Sequence, residues 1–92
     1  LGRIAYLHSR RIKMKKMLDQ IKQRLACRCE VYDNVIIAMP YDVRYDIKFE
    51  IRKYHGWYAL SEYDGCWYLL GESKSPAAIV NRILKEHGGL AL

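Results

Sequence analysis

The sequence predicts an α+β fold: an antiparallel meander of three or four strands, with an N-terminal and a C-terminal helix packed on one face. Three observations carry that reading. Residues 43–71 alternate polar and apolar side chains and are broken twice by a dipeptide ending in glycine, His55-Gly56 and Asp64-Gly65. Such a pattern marks strands joined by two-residue hairpin turns. An apolar stripe at helical spacing precedes these strands, and a well-capped helical segment follows them.

The elements follow in order. Residues 12–26 read as a helix, because Met14, Leu18, Ile21 and Leu25 fall at i, i+4, i+7 and i+11, with Met17 beside them. Lys13, Lys16, Gln20, Gln23 and Arg24 then face away from the stripe. That outer face is solvated, and its cations are usable phosphate contacts. Residues 30–39 contain Val31, Tyr32, Val35, Ile36, Ile37 and Met39 and read as a strand. Asp33-Asn34 interrupts it, either as a bulge or as a tight turn. Pro40-Tyr41-Asp42 turns the chain into the meander. At the last element Ser75 is a good N-cap, Pro76 sits where its missing N–H costs nothing, and Ile79, Val80, Ile83 and Leu84 form the buried stripe. Gly88-Gly89 supplies the stop.

Two-residue turns fix the register, and register sorts side chains onto faces. Tyr54 is expected opposite Trp57, Ile51 opposite Leu60, Tyr63 opposite Cys66 and Leu60 opposite Leu69. The core face then collects Ile47, Phe49, Ile51, Tyr58, Leu60, Trp67 and Leu69. The open face collects Asp46, Lys48, Glu50, Arg52, Tyr54, Trp57, Ala59, Ser61, Tyr63, Tyr68 and Leu70. Aromatic rings beside Lys and Arg suit base stacking or groove contact. They also suit a protein interface, since apolar patches attract partners.

Composition bounds the function classes. Ninety-two residues make one domain with a modest core and little material for a deep catalytic cleft. The expected boundaries are a loose segment over 1–12, the domain over 13–88 and a tail over 89–92. Met14-Lys15-Lys16-Met17 offers an internal start, which would make the first residues a leader or remnant. The formal charge is +6, from 16 Lys/Arg against 10 Asp/Glu. A basic balance favours polyanions. Cys27, Cys29 and Cys66 are an odd set of thiols, which points to a reducing cell interior, a virus-infected host included. No apolar run approaches the length of a membrane span, so no membrane partner is expected. Neither a metal nor a cofactor is expected, because Cys27-Arg28-Cys29 has no second pair and His8, His55 and His87 are scattered.

The order helix–strands–helix resembles the double-stranded RNA-binding domain. The local match is Asp64-Gly65 at the last hairpin, then Gly71-Glu72-Ser73-Lys74-Ser75-Pro76-Ala77 opening the last helix. In that family a Gly-x-Ser-Lys-Lys-x-Ala stretch opens the second helix, and its lysines grip phosphates across a groove. The resemblance implies phosphate contacts at Ser73 and Lys74, with backbone N–H groups near Ser75 and Ala77. This chain departs from the pattern at Ser75, Pro76, Asn81 and Arg82, lacks the family's Gly-Pro-x-x-His loop, and has a longer strand region. Trp67-Tyr-Leu-Leu-Gly71 followed by Ser75-Pro-Ala-Ala-Ile is also similar to the DNA-binding sheets of phage integrase arm domains and plant ethylene-response factors. That likeness implies Lys48, Arg52, Trp57 and Tyr68 as readers in a major groove.

No catalytic constellation assembles, and no enzyme is expected. His55 with Lys53 or Tyr54 is a thin basis for a ribonuclease. Cys66 and His55 fall at opposite hairpin ends, and Asp42, Asp46 and Glu50 hold Mg²⁺ only if a loop gathers them. The expectation is a small basic domain binding duplex RNA or DNA through Lys13, Lys16, Lys48, Arg52, Trp57, Tyr68, Ser73 and Lys74. The alternative is a protein-interaction module, an accessory subunit or viral regulator, centred on Tyr54, Trp57, Tyr63 and Tyr68 and able to form a homodimer.

Overall fold

The computed structural model describes residues 14–92. The segment 1–12 and Lys13 lie outside the described residues. Helix α1 (Lys15–Arg24) leads into strands β1 (Cys27–Val31), β2 (Val35–Pro40), β3 (Lys48–Tyr54), β4 (Trp57–Tyr63) and β5 (Trp67–Ser73). Helix α2 (Pro76–Glu86) and a 3₁₀ turn (Gly88–Leu90) complete the chain. The strands form one antiparallel sheet in the order β1-β2-β3-β4-β5, a meander with helices on one face. Of the two expected readings of Asp33-Asn34, a bulge or a tight turn, the turn is the one found, so this segment is a β1–β2 hairpin. Asp33-Asn34 is its turn, closed by the Tyr32 N–H donating to Val35 O at 2.8 Å.

Alternation explains the layering. Met14, Met17, Ile21 and Leu25 of the first stripe, and Ile79, Val80 and Ile83 of the second, are buried against Ile36, Phe49, Ile51, Tyr58 and Leu60. Phe49 is fully buried, so truncating it to alanine is expected to cost about 3–5 kcal/mol. α2 starts as its residues dictate: the Ser75 hydroxyl accepts from the Ala78 N–H at 3.2 Å, with Pro76 at the first helical position. Arg24, expected to face away from the protein, instead reaches across to α2. It donates to Ala77 O at 3.4 Å and to the Asn81 side chain. Its guanidinium supplies donors that the first turns of α2 accept, which a solvated lysine would not do in this fork geometry.

The last residues are not free of the domain. Leu90 is buried, the Ala26 N–H donates to Leu90 O at 2.8 Å, and the Leu92 N–H donates to Arg24 O at 3.0 Å. Residues expected as a tail therefore tie down the end of α1. Gly89 lies against the Tyr45 hydroxyl, and a Cβ there would make the end of that side chain move aside.

The two glycine turns differ. His55-Gly56 is a two-residue turn with both residues at positive φ, 49° and 78°, and it aligns Tyr54 with Trp57 and Ile51 with Leu60, as expected, and so Arg52 with Ala59. The second loop has three residues, Asp64-Gly65-Cys66, with Gly65 at φ 82°. Tyr63 therefore pairs with Trp67, Glu62 with Tyr68 and Ser61 with Leu69. A one-residue slip exchanges faces. Trp67 and Leu69, expected in the core, lie on the open face and are 50% and 64% exposed. Tyr68 and Leu70, expected on the open face, lie on the helix side, where Leu70 packs against the core. A bulge between the Leu60 and Ser61 pairings then restores parity, so Ala59 pairs with Glu72 and Tyr58 with Ser73.

Candidate nucleic-acid interface

The sheet has two ends. At the upper end β3 turns into β4 and β5 runs into α2. At the lower end lie the loops 41–47 and 64–66. The predicted site residues divide between them.

Upper-end residues come together around the entry to α2. The Lys74 ammonium stands 5.3 Å from the centre of the Trp57 ring, a cation–π distance. Register explains the pairing, because Lys74 follows Ser73, whose partner Tyr58 is the neighbour of Trp57. The Tyr54 hydroxyl donates to Glu72 Oε1 at 2.9 Å, which raises the Tyr54 pKa. The Ser73 hydroxyl accepts from the Ser75 N–H at 3.0 Å, so it shapes the turn into α2. On the helix side of the same end, Lys53 Nζ stands 5.6 Å from the centre of the Tyr58 ring. Lys16 acts on that same tyrosine, opposing the upward shift that burial gives it. Lys16 also borders a shallow groove with Ser75, Pro76 and Ala77. Three lysines from α1, β3 and the β5–α2 junction thus surround the end of the sheet. The carboxylates there are Asp19, bonded to Lys15 at 2.8 Å, Glu72, bonded to Tyr54, and Asp33 in the outer turn.

The lower end has matching side chains in another setting. Tyr63 and Trp67 rings lie 5.2 Å apart, and Lys48 Nζ stands 5.4 Å from the Tyr63 ring centre. Behind them His87 Nε2 and Glu62 Oε1 meet at 2.7 Å, both largely buried, with His87 edge-on to Phe49 at 5.7 Å. Asp42 clamps Arg44 through a 2.6 Å contact, and this pairing pulls the Asp42 carboxyl down to about 2. Asp46 and Asp64 are exposed close by in the sequence of these loops.

Arg52, a predicted reader, lies mid-face and is bonded to Glu50 at 3.2 Å. The open face as a whole carries Arg28, Lys48 and Arg52 against Glu30, Glu50 and Glu72, so its strands are charge-balanced. Ala59 and Ser61 make its centre shallow, between aromatic pairs at either end. Tyr68 is not among its residues and faces the other way. Lys13 lies outside the described residues.

The basic balance is also unevenly spread along the chain. All ten Asp/Glu and 12 of the 16 Lys/Arg fall in residues 14–92, so the described domain carries +2. Arg3, Arg10, Arg11 and Lys13 supply the other +4, immediately before α1. Lys53, opposite Tyr58 as the His55-Gly56 register implies, is not among the nucleic-acid contacts the sequence points to. Trp67 and Leu69 were missed because the loop before them is one residue longer than expected.

Among the described residues, the other candidate chemical groups stand apart. His55 sits in the upper turn and Cys66 in the lower loop, at opposite ends of β4. Burial, helped by the neighbouring Cys29, pushes the Cys27 thiol up to about 11. Asp42 and Glu50 are engaged by different arginines. Among the described residues no three His, Cys, Asp or Glu side chains gather for a metal ion, and no helix is long and apolar enough to cross a membrane. No protein-family model matches the chain, and no curated protein or solved structure matches it either.

Proposed function

We propose that this protein binds duplex nucleic acid through its upper end, with Lys16, Lys53 and Lys74 contacting phosphates around the entry to α2. One observation carries the reading: at one end of the sheet Lys16 and Lys53 both act on Tyr58 on the helix side, Lys74 lies over Trp57 on the open side, and Lys16 borders the groove at the start of α2. The Pro76 ring leaves no N–H to satisfy and Ser75 caps Ala78, so the Ala77 N–H is the donor left to an incoming phosphate oxygen. In sequence, four further cations, Arg3, Arg10, Arg11 and Lys13, precede α1, the helix that carries Lys16. The resemblance of Ser73-Lys74 and the following helix to the double-stranded RNA-binding domain agrees with this choice. Trp57 beneath Lys74 offers a ring to a base or sugar at the rim. Phosphate binding of this kind is sequence-independent and falls steeply with salt.

The test is an anisotropy titration against duplex RNA, duplex DNA and their single strands at two salt concentrations. Binding to duplexes that weakens on raising salt, and weakens further in Lys16→Glu/Lys74→Glu, supports the proposal. Retention no better than that of a charge-matched control protein ends it.

A specific observation favours a second reading for the open face. Its charges balance, and Trp67 and Leu69 stand exposed beside Tyr63. Exposed aromatics in a neutral setting suit association with another protein chain. A lower apparent mass for Trp67→Ala than for the parent protein on a sizing column supports it, whereas equal monomeric masses remove it.

A further inference from the structure

Cys27 and Cys29 both point to the helix side of the edge strand β1, one strand repeat apart. Together they border a recess of about 360 Å³ between α1 and β1, whose other walls include Leu18, Lys22, Val31 and Tyr41. Cys27 is buried, Cys29 is half-buried, and both are free thiols. Alternate residues of a strand stand roughly 6.6 Å apart, with side chains nearly parallel. A disulfide needs its β-carbons about 3.5–4.5 Å apart, so this pair cannot oxidise to one without breaking the β1–β2 ladder. A bridging ion changes that geometry. Two metal–sulfur bonds of roughly 2.3 Å set in line hold the sulfurs about 4.6 Å apart, a span that two leaning side chains on one strand face can meet.

We infer that Cys27 and Cys29 form a two-coordinate site for a soft monovalent ion of the Cu(I) type. The ligand count selects the ion. Zinc wants four ligands, and among the described residues no third His, Cys, Asp or Glu joins the pair. Thiolate-only, low-coordinate surroundings suit Cu(I) or Ag(I). Two thiolates with a monovalent ion leave one negative charge, and Lys22, whose ammonium acts on Cys29, borders the same recess. Loading displaces the thiol protons to the buffer and moves no electrons. The exposed Cys66, near Tyr68 in the loop before β5 at the opposite edge of the sheet from β1, is a built-in control.

The experiment is an anaerobic titration with Cu(I) delivered from a chromophoric chelator, with Zn(II) as the parallel arm. The parent protein and Cys66→Ser are expected to extract one Cu(I) per chain, to gain a thiolate-to-metal charge-transfer band and to melt at higher temperature when loaded. Cys29→Ser, at the half-buried position, is expected to lose the bound equivalent while keeping its far-ultraviolet circular dichroism. Cys29→Ala replaces it if the serine variant unfolds, and X-ray absorption of the loaded parent protein should report two sulfur neighbours and no more. Undiminished Cu(I) extraction by folded Cys29→Ser, loss of binding in Cys66→Ser, or a preference for Zn(II) would each overturn the inference.

Discussion

Trp57, Tyr54 and Lys74 at the upper end of the sheet, and Trp67, Tyr63 and Lys48 at the lower end, are the same three residue types in two surroundings. In both, a lysine ammonium stands just over 5 Å from an aromatic ring. What differs is the second layer. Behind the upper set stand Lys16, Lys53 and the first turn of α2. Behind the lower set stand Glu62, its partner His87 and loops carrying Asp42, Asp46 and Asp64. An aromatic–cation pair therefore does not by itself define a polyanion site. The charges within a Debye length, about 8–10 Å in ordinary buffers, decide what it attracts.

The sharpest way to break this contrast is charge reversal at each end. Lys16→Glu/Lys74→Glu is expected to weaken duplex binding by roughly 100-fold at low salt and to flatten its salt dependence. Lys48→Glu, the lower-end counterpart, should change affinity by less than about twofold. Equal losses measured by anisotropy would show that the whole surface, not one end, attracts the duplex.

A smaller effect separates structure from binding. His87→Ala leaves the largely buried Glu62 carboxylate without its 2.7 Å partner, and is expected to cost about 1–2 kcal/mol in a denaturant melt while leaving duplex affinity unchanged. Ser75→Ala should do both things weakly. Loss of the cap on Ala78 is expected to cost about 1 kcal/mol, and duplex affinity should fall a few-fold as the first turn of α2 frays.

The smallest effect lies in the lower loops. Arg44 holds the Asp42 carboxyl at about 2, below the usual carboxylate value of 3.8. A depressed folded pKa stabilises above the unfolded value and is lost as pH falls through the folded one. Between pH 8 and 5 the pair should contribute nothing pH-dependent. Loosening should begin only below about pH 4, visible in a carboxyl-detected titration of Asp42 and absent in Arg44→Ala.

Much of this arrangement was written in side-chain spacing. The stripes of α1 and α2, the Ser75-Pro76 start and the β3–β4 register all follow from local rules, because each has a polar–apolar period that only one geometry satisfies. β5 failed that test. Trp67, Tyr68, Leu69 and Leu70 are apolar in both parities, so no alternation told a two-residue loop from a three-residue one. Asp64-Gly65 fits either, since the left-handed glycine serves both. The fifth strand was hidden for a related reason: Asp33-Asn34 reads as bulge or turn until a partner strand decides. Lys16, Lys53 and Lys74 lie far apart in sequence, and their placement at one end of the sheet needed tertiary packing. The charge imbalance between residues 1–13 and the rest of the chain was countable from the start.

The two tryptophans are the chain's own reporters for the two ends. A ¹H–¹⁵N spectrum recorded while duplex RNA or DNA is added resolves their indole N–H signals separately. Duplex binding at the upper end should shift the Trp57 signal along with the amides of Lys16, Lys74 and Ala77, while Trp67 stays in place. Movement of Trp67 with Trp57 unchanged would contradict it.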